Sequence, residues 1–250
     1  MVPGTNNRPN RQNRHNRPNR HNRKMKVLAV DTSTRNLSIS VIEGSDILAE
    51  TDKFDEKNRS DHLIPSIEKI LSSSGLDIKD IGLFCTGTGP GSFTGLRIGV
   101  TAMRSLSIAL KRPIMGVPSF DACAYNCFGH EKDICVMFDA KQAKVYARIY
   151  RENKKGLKPI SPFLLDSADK IISKIKKETI VTGDAIKIYK TEILKRAKSK
   201  FEFAPEPLWY PKASIIARLG LKEYDLKHKG HSPFNLAPLY IYPKECQVKK

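Results

Sequence analysis

The chain has 250 residues, 40% of them hydrophobic and 28% charged, with a formal net charge of +18. That is enough length and apolar content for one large domain or two modest lobes with a real core. No stretch approaches the ~18 uninterrupted apolar residues of a membrane span, and no apolar run follows the basic N-terminus to make a secretory signal.

Residues 1–24 hold seven basic residues and no acid, and from Asn7 they read NRP NRQ NRH NRP NRH NRK. With almost nothing apolar to bury, this tail is predicted to be disordered. Three accounts of it stay open: a basic arm for RNA phosphates, an addition from cloning, or translation that begins at Met25. Without those seven charges, residues 25–250 still carry +11. Basic bodies meet polyanions, although Lys-rich surfaces also serve solubility.

Residues 26–34, KVLAVDTST, form an apolar run that ends in Asp-Thr-Ser, a buried strand entering a turn. Residues 37–44 alternate and make a second strand, and 47–54 a third, which suggests a meander. Residues 60–75 set Leu63, Ile64, Ile67, Ile70 and Leu71 at helical spacing, with Gly75 to close the helix. A strand at 81–91 runs into a glycine-rich loop. A long helix follows over 93–111, then a short strand at 114–117 and a helix at 119–128. The second half repeats the theme, with strands at 134–140 and 144–151, a helix at 168–178, a strand at 179–185, and helices at 185–198 and 212–228. This pattern predicts an α/β fold of mixed sheets flanked by helices.

The loop TGTGPGSFTG, residues 86–95, leads straight into a helix N-terminus, where free N–H groups and the dipole attract anions. It lacks the Gly-Lys-Ser/Thr of a P-loop. It is either an anion or partner contact or a tight turn that lets strand and helix pack. The helix after it is apolar nearly all round, with Arg97 and Arg104 its only charges before Lys111. Such a helix is buried on more than one side, by a second protein or by a neighbouring helix of the same chain. Asp31 and Asp139 end buried strands, where they are placed to position a metal-bound phosphate or simply to form turns; Asp184 is placed to assist at a nucleoside. Cys123, Cys127, His130 and Cys135 form a C-x3-C-x2-H-x4-C cluster that lacks a C-x2-C pair, and inert residues account for it better than zinc. With Cys85 and Cys246 the cysteines number five, an odd count that fits a reduced, cytosolic protein. No Ser-His-Asp, HExxH or paired-carboxylate motif is present.

Taken together, VLAVDTST, DHLIPSIEKIL, CTGTGPGSFTGLRIGV, IMGV, FDAKQAKVYA and PLYIYPKE resemble the TsaB (YeaZ) family over essentially all of residues 25–250. The specific string is GPGSFTGLRIG, whose loop holds Gly89, Pro90, Gly91, Ser92, Phe93, Thr94 and Gly95. The resemblance implies a two-lobed actin-like ATPase (sugar kinase, Hsp70, actin) fold, with an N-terminal partner-binding lobe at 25–124 and a C-terminal lobe at 125–250. It implies a cytoplasmic, non-catalytic partner of TsaD, the paralogue that transfers a threonylcarbamoyl group to the adenosine beside the anticodon of tRNAs reading ANN codons. TsaE acts there as an ATPase. ATP, metal and threonylcarbamoyl-adenylate are expected at the partner subunits, with tRNA met through the complex and none of the cofactors held tightly by this chain.

Asp31, Thr32, Ser33, Asp139, Gly183 and Asp184 would then be vestigial phosphate and nucleotide positions. Ser119 and Cys123 stand where the paralogue carries a metal-binding His-x-x-x-His pair. Asp139-Ala140-Lys141-Gln142-Ala143 departs from the family's usual Asp-Ala-Arg-x-Gly by losing the glycine. The two helices of the first lobe are expected to meet TsaD, or a second copy when TsaD is absent, through His62, Lys69, Arg97, Val100, Met103, Arg104 and Ser107. An ATP-dependent small-molecule kinase of the same fold, or a metalloprotease-like protein, are the other functions such a chain suggests.

Overall fold

The computed structural model describes residues 24–54, 59–154, 156–196 and 201–241. The expectations for residues 1–23 and for Cys246 lie outside them.

Two sheets of matching topology organise the chain. β1 (Lys26–Asp31), β2 (Asn36–Glu43) and β3 (Asp46–Phe54) form the antiparallel meander, and β4 (Leu83–Gly87) and β5 (Ile114–Val117) extend it in parallel from β1. The order is β3-β2-β1-β4-β5. In the second sheet β6 (Asp133–Asp139), β7 (Val145–Asn153) and β8 (Gly156–Pro159) are antiparallel, and β10 (Thr179–Thr182) and β11 (Phe201–Phe203) run parallel to β6. Its order is β11-β10-β6-β7-β8, with β9 (Leu164–Asp166) also paired to β7. The pieces β8, β9 and β11 are short and only half buried, too little pattern for the sequence to announce.

β1 alternates across its sheet, as the two-residue strand period requires. Leu28 and Val30 face α1 (Arg59–Ser73) and α2 (Phe93–Leu110), joined there by Ile39, Val41 and Phe84. Both helices therefore lie on one side, as right-handed crossovers dictate. Val27 and Ala29 face the other way, onto α6 (Ala213–Lys227) through Ala213, Ile216 and Ala217. Thus α6, from the C-terminal stretch, packs on the sheet of the N-terminal lobe. It is tied there by the Ala213 amide donating to Ser38 Oγ at 2.8 Å and the Ser214 amide donating to Glu50 Oε1 at 2.9 Å.

The second lobe's core joins β6, β7 and β10 to α3 (Ser119–Tyr125), α4 (Ala168–Ile172) and α5 (Ile186–Arg196). Two helices are shorter than expected. Over 168–178 only Ala168–Ile172 is α-helical, because the chain tightens into i→i+3 bonds at Lys174 and Ile175 before entering β10. The helix predicted for 119–128 ends at Tyr125 in the same way. No described helix is long and apolar enough to cross a membrane.

Candidate functional site

The strand-end turns of the two sheets face each other across a cavity of about 300 Å³ between the lobes. Ser33, Thr34, Arg35, Phe54 and the 91–94 loop line it from one side, and Phe138, Asp139, Lys141, Asp184, Lys187 and Tyr210 from the other. Phe54 meets the edge of Tyr210 at 5.9 Å and takes the Lys187 ammonium over its ring at 4.9 Å, so the lobes touch at its rim.

Asp31 is only 1% exposed and does not line the cavity. One carboxylate oxygen accepts from the Ser33 amide at 2.9 Å and the Ser33 hydroxyl at 2.6 Å; the other accepts from Ser119 Oγ at 2.6 Å. Ser119 Oγ in turn accepts from the Gly89 amide at 3.0 Å. A residue expected to approach a metal-bound phosphate is thus held inward by its own chain. Thr32 is equally closed, its hydroxyl donating to the Gly95 carbonyl at 2.7 Å.

The glycine loop serves this closure. A Cβ at Gly87 would lie 1.8 Å from Asp31 Oδ2, and one at Gly99 would lie 2.3 Å from Thr32 Oγ1. The Ser92 amide donates to the Ser33 carbonyl at 2.6 Å, and Ser92 Oγ caps α2 by accepting from the Gly95 amide. Pro90 follows a cis peptide bond from Gly89. The packing reading of this loop holds for Gly89 and Gly95. Gly91, Ser92, Phe93 and Thr94 also form part of the cavity wall.

The opposite wall is open. Asp139 accepts from the Lys141 amide at 2.9 Å and from Lys141 Nζ at 2.6 Å, while that lysine's side chain stays largely in solvent. Lys141, Gln142 and Ala143 all have φ between 52° and 64°, the left-handed region where glycine is at ease. Asp184 accepts from the Asp139 amide at 3.0 Å. Burial pushes its pKa up to about 6 and the Asp139 carboxylate adds to the rise, against the pull of that amide. Gly183 lies behind it with φ +112°, against the Met137 backbone.

The helical face differs from expectation. Val100, Met103 and Ser107 are 1%, 0% and 2% exposed, packed into the first lobe's own core. The cause is Gly99, whose lack of a side chain lets α2 settle on the turn after β1, and this turns the whole 96–99–100–103–107 stripe inward. These three are corrected from partner-binding to core residues. Arg97 stacks on Phe93 at 3.9 Å and donates to Tyr240 Oη, and Arg104 donates to the Phe234 carbonyl. Both thus hold the C-terminal segment along α2. His62 and Lys69 are exposed on α1. The outward faces also hold Ile64 and Ile108, each 44% exposed, with Thr101 and Ser105 between the latter and Arg97 on α2. Sequence reasoning missed these two isoleucines.

Cys85, Cys123, Cys127 and Cys135 are buried free thiols. Burial pushes Cys127 up to about 11 and Cys135 up to about 12. Cys123 Sγ points at the Trp209 carbonyl, 3.6 Å away, while Ser119 is committed to Asp31, so this pair does not converge as two ligands would. Among the described residues no group of three or more His, Cys, Asp or Glu is arranged to hold a metal.

Two lobes with the same sheet topology, closing on a cleft walled by their strand-end turns, make this an actin-like ATPase fold. The model of the family "TsaD: tRNA N6-adenosine threonylcarbamoyltransferase" matches residues 53–212, more than half of the chain. The chain is 30% identical over 196 residues to the tRNA threonylcarbamoyladenosine biosynthesis protein TsaB of Buchnera aphidicola from Schizaphis graminum, covering 76% of this chain and 90% of that one. It is 26% identical to the TsaB of Bacillus subtilis, over 90% of this chain and 97% of that one. The solved structure of YeaZ from Pseudomonas aeruginosa superposes with a TM-score of 0.73 at 18% identity, over 87% of this chain and all of that one. The chain belongs to the TsaD family, on its TsaB (YeaZ) branch.

Proposed function

We propose that the chain acts in tRNA threonylcarbamoyladenosine biosynthesis as the non-catalytic partner of a TsaD paralogue. The pathway is the one in the names of its relatives. The observation that carries the non-catalytic part is Asp31: it is 1% exposed, lies outside the cavity lining and is held inward by Ser33 and Ser119, so the first strand-end carboxylate is turned away from a phosphate or its metal in the cleft. ATP, metal and threonylcarbamoyl-adenylate then belong to the partner subunits, TsaE supplies the ATPase, and the work is cytoplasmic. The contact with TsaD is the outward face of α1 and α2, around Ile64 and Ile108. Two exposed isoleucines beside small side chains suit close helix packing against a second chain.

The test is co-purification with the host's TsaD and assay of tRNA modification with and without this chain. Modification should require both proteins. Ile64→Glu with Ile108→Glu should leave the fold intact, since both side chains are solvent-facing, and should weaken the complex by about 3 kcal/mol, more than 100-fold. Unchanged affinity in a folded double variant removes this face from the interface. Modification by TsaD alone at the full rate removes the function.

A further inference from the structure

The chain's positive charge is unevenly placed. Residues 25–124 hold 11 Lys and Arg against 12 acids, whereas residues 170–200 alone hold ten against three. A general leaning of the sequence toward lysine would raise both stretches. One of the three acids, Asp184, sits at the cleft wall and accepts the Asp139 amide.

From that stretch the fold brings α4, the turn after it and α5 onto one side of the second lobe. α4 and α5 pack against each other. Their apolar sides, with Ile171, Ile172, Ile186 and Ile193, are buried in the second lobe's core. Lys174, Lys176 and Lys177, in the turn after α4, line one side of a groove that also holds Ile160, Leu164 and Ile175, with Asp133 paired to Arg151 in its wall. Lys187, Lys190 and Lys195 are exposed along α5, and Lys187 reaches the mouth of the interlobe cleft. From Lys187 to Lys195 the helix rises about 12 Å, so this side offers a row of cations rather than one point.

We propose that α4, the turn after it and α5 form a phosphate-binding surface for the body of the tRNA. This rests on the function proposed above, which supplies a polyanion of that kind. Exposed lysines on flexible stems meet phosphates as point charges, giving contact that is independent of sequence and sensitive to salt. Ile188 and Leu194 stand exposed among these lysines, 55% and 52%, so the test must separate RNA from a docked protein.

The variant is Lys174→Glu, Lys176→Glu and Lys177→Glu together. The control makes the same charge change elsewhere, with Lys79→Glu, Arg112→Glu and Lys229→Glu. Both are made in the chain beginning at Met25, so that the basic tail does not mask the effect. An unmodified ANN-decoding tRNA is titrated against the complex with TsaD and against the chain alone, at several salt concentrations. The α4 variant should raise Kd at least tenfold near 0.1 M salt and reduce the slope of log K against log salt by about 2, at about 0.7 per lost phosphate contact. The control should stay within twofold of the parent. Equal Kd and slope in variant and control overturn the proposal. So does loss of TsaD with tRNA binding unchanged, which makes the face a protein-docking surface. If the parent complex fails to form or to modify tRNA, the function is at fault, and the titration of the chain alone still decides this surface.

Discussion

The turns after β1 and β6 occupy matching places in two sheets of one topology, yet one is sealed and the other open. Asp31 is surrounded by hydroxyls, an amide and a glycine loop that leaves no room for a ligand. Asp139 meets an exposed lysine across a turn of three left-handed residues, with a half-buried carboxylate behind it. The difference teaches that a strand-end aspartate in this fold is defined by what packs over it. In the first lobe Gly87, Gly99 and Ser119 bring a loop, a helix and a hydroxyl onto the turn, and the aspartate becomes part of the core. In the second lobe Tyr189 Oη reaches Asp139 from α5 at 3.4 Å, but no loop packs over the turn and the aspartate stays in the cavity wall.

The largest expected effect breaks the sealed side. Gly87→Ala places a methyl 1.8 Å from Asp31 Oδ2, and the neighbour is a buried carboxylate already committed on both oxygens. A loss of at least about 3 kcal/mol is expected by denaturant titration. A loss under 1 kcal/mol would show that the turn yields easily and that the seal is loose.

The next acts on the open side. Asp184 keeps its proton up to about pH 6 in the folded protein, against 3.8 as the ordinary value. Its contribution to stability is therefore full below pH 4 and is lost as pH rises through 6. Asp184→Asn keeps an oxygen for the Asp139 amide and removes the charge. It should stabilise the protein by up to about 3 kcal/mol at pH 7 and by almost nothing at about pH 3. A gain independent of pH would place its cause outside this titration.

The smallest sharpens the contrast between the turns. Ala143 has φ +57°, in the left-handed region that favours glycine. Ala143→Gly relieves left-handed strain while freeing the unfolded chain, so a net gain of about 0.5 kcal/mol is expected in thermal melts. A loss would mean that the Ala143 methyl makes packing contacts worth more than the strain.

Much of this was legible in the sequence. The runs LAVD and CVMFD announced buried strands because few other structures hide so many consecutive apolar residues before a turn. The long apolar stretch after the glycine loop marked α2, and Gly75 marked the end of α1, where its φ is +64°. The glycines of the loop 86–95 left two readings open, an anion or partner contact and a tight packing turn, and the structure shows the packing at Gly89 and Gly95. The phase of α2 was not legible. With apolar residues on every side, the helix has no polar face to show which way it turns, and Val100, Met103 and Ser107 looked as available as any others. Only the contact between Gly99 and the turn after β1 fixes that rotation, and with it Ile108 becomes the outward residue. The return of α6 to the first sheet was hidden for a related reason. Its small inward residues, Ala213, Ala217 and Gly220, fit either sheet, and the choice is made by Ser38 and Glu50, far away in sequence. The state of Asp31 was equally a tertiary outcome: its two sealing hydroxyls come from residues 2 and 88 positions along the chain, and only the assembled sheet brings the second one to it.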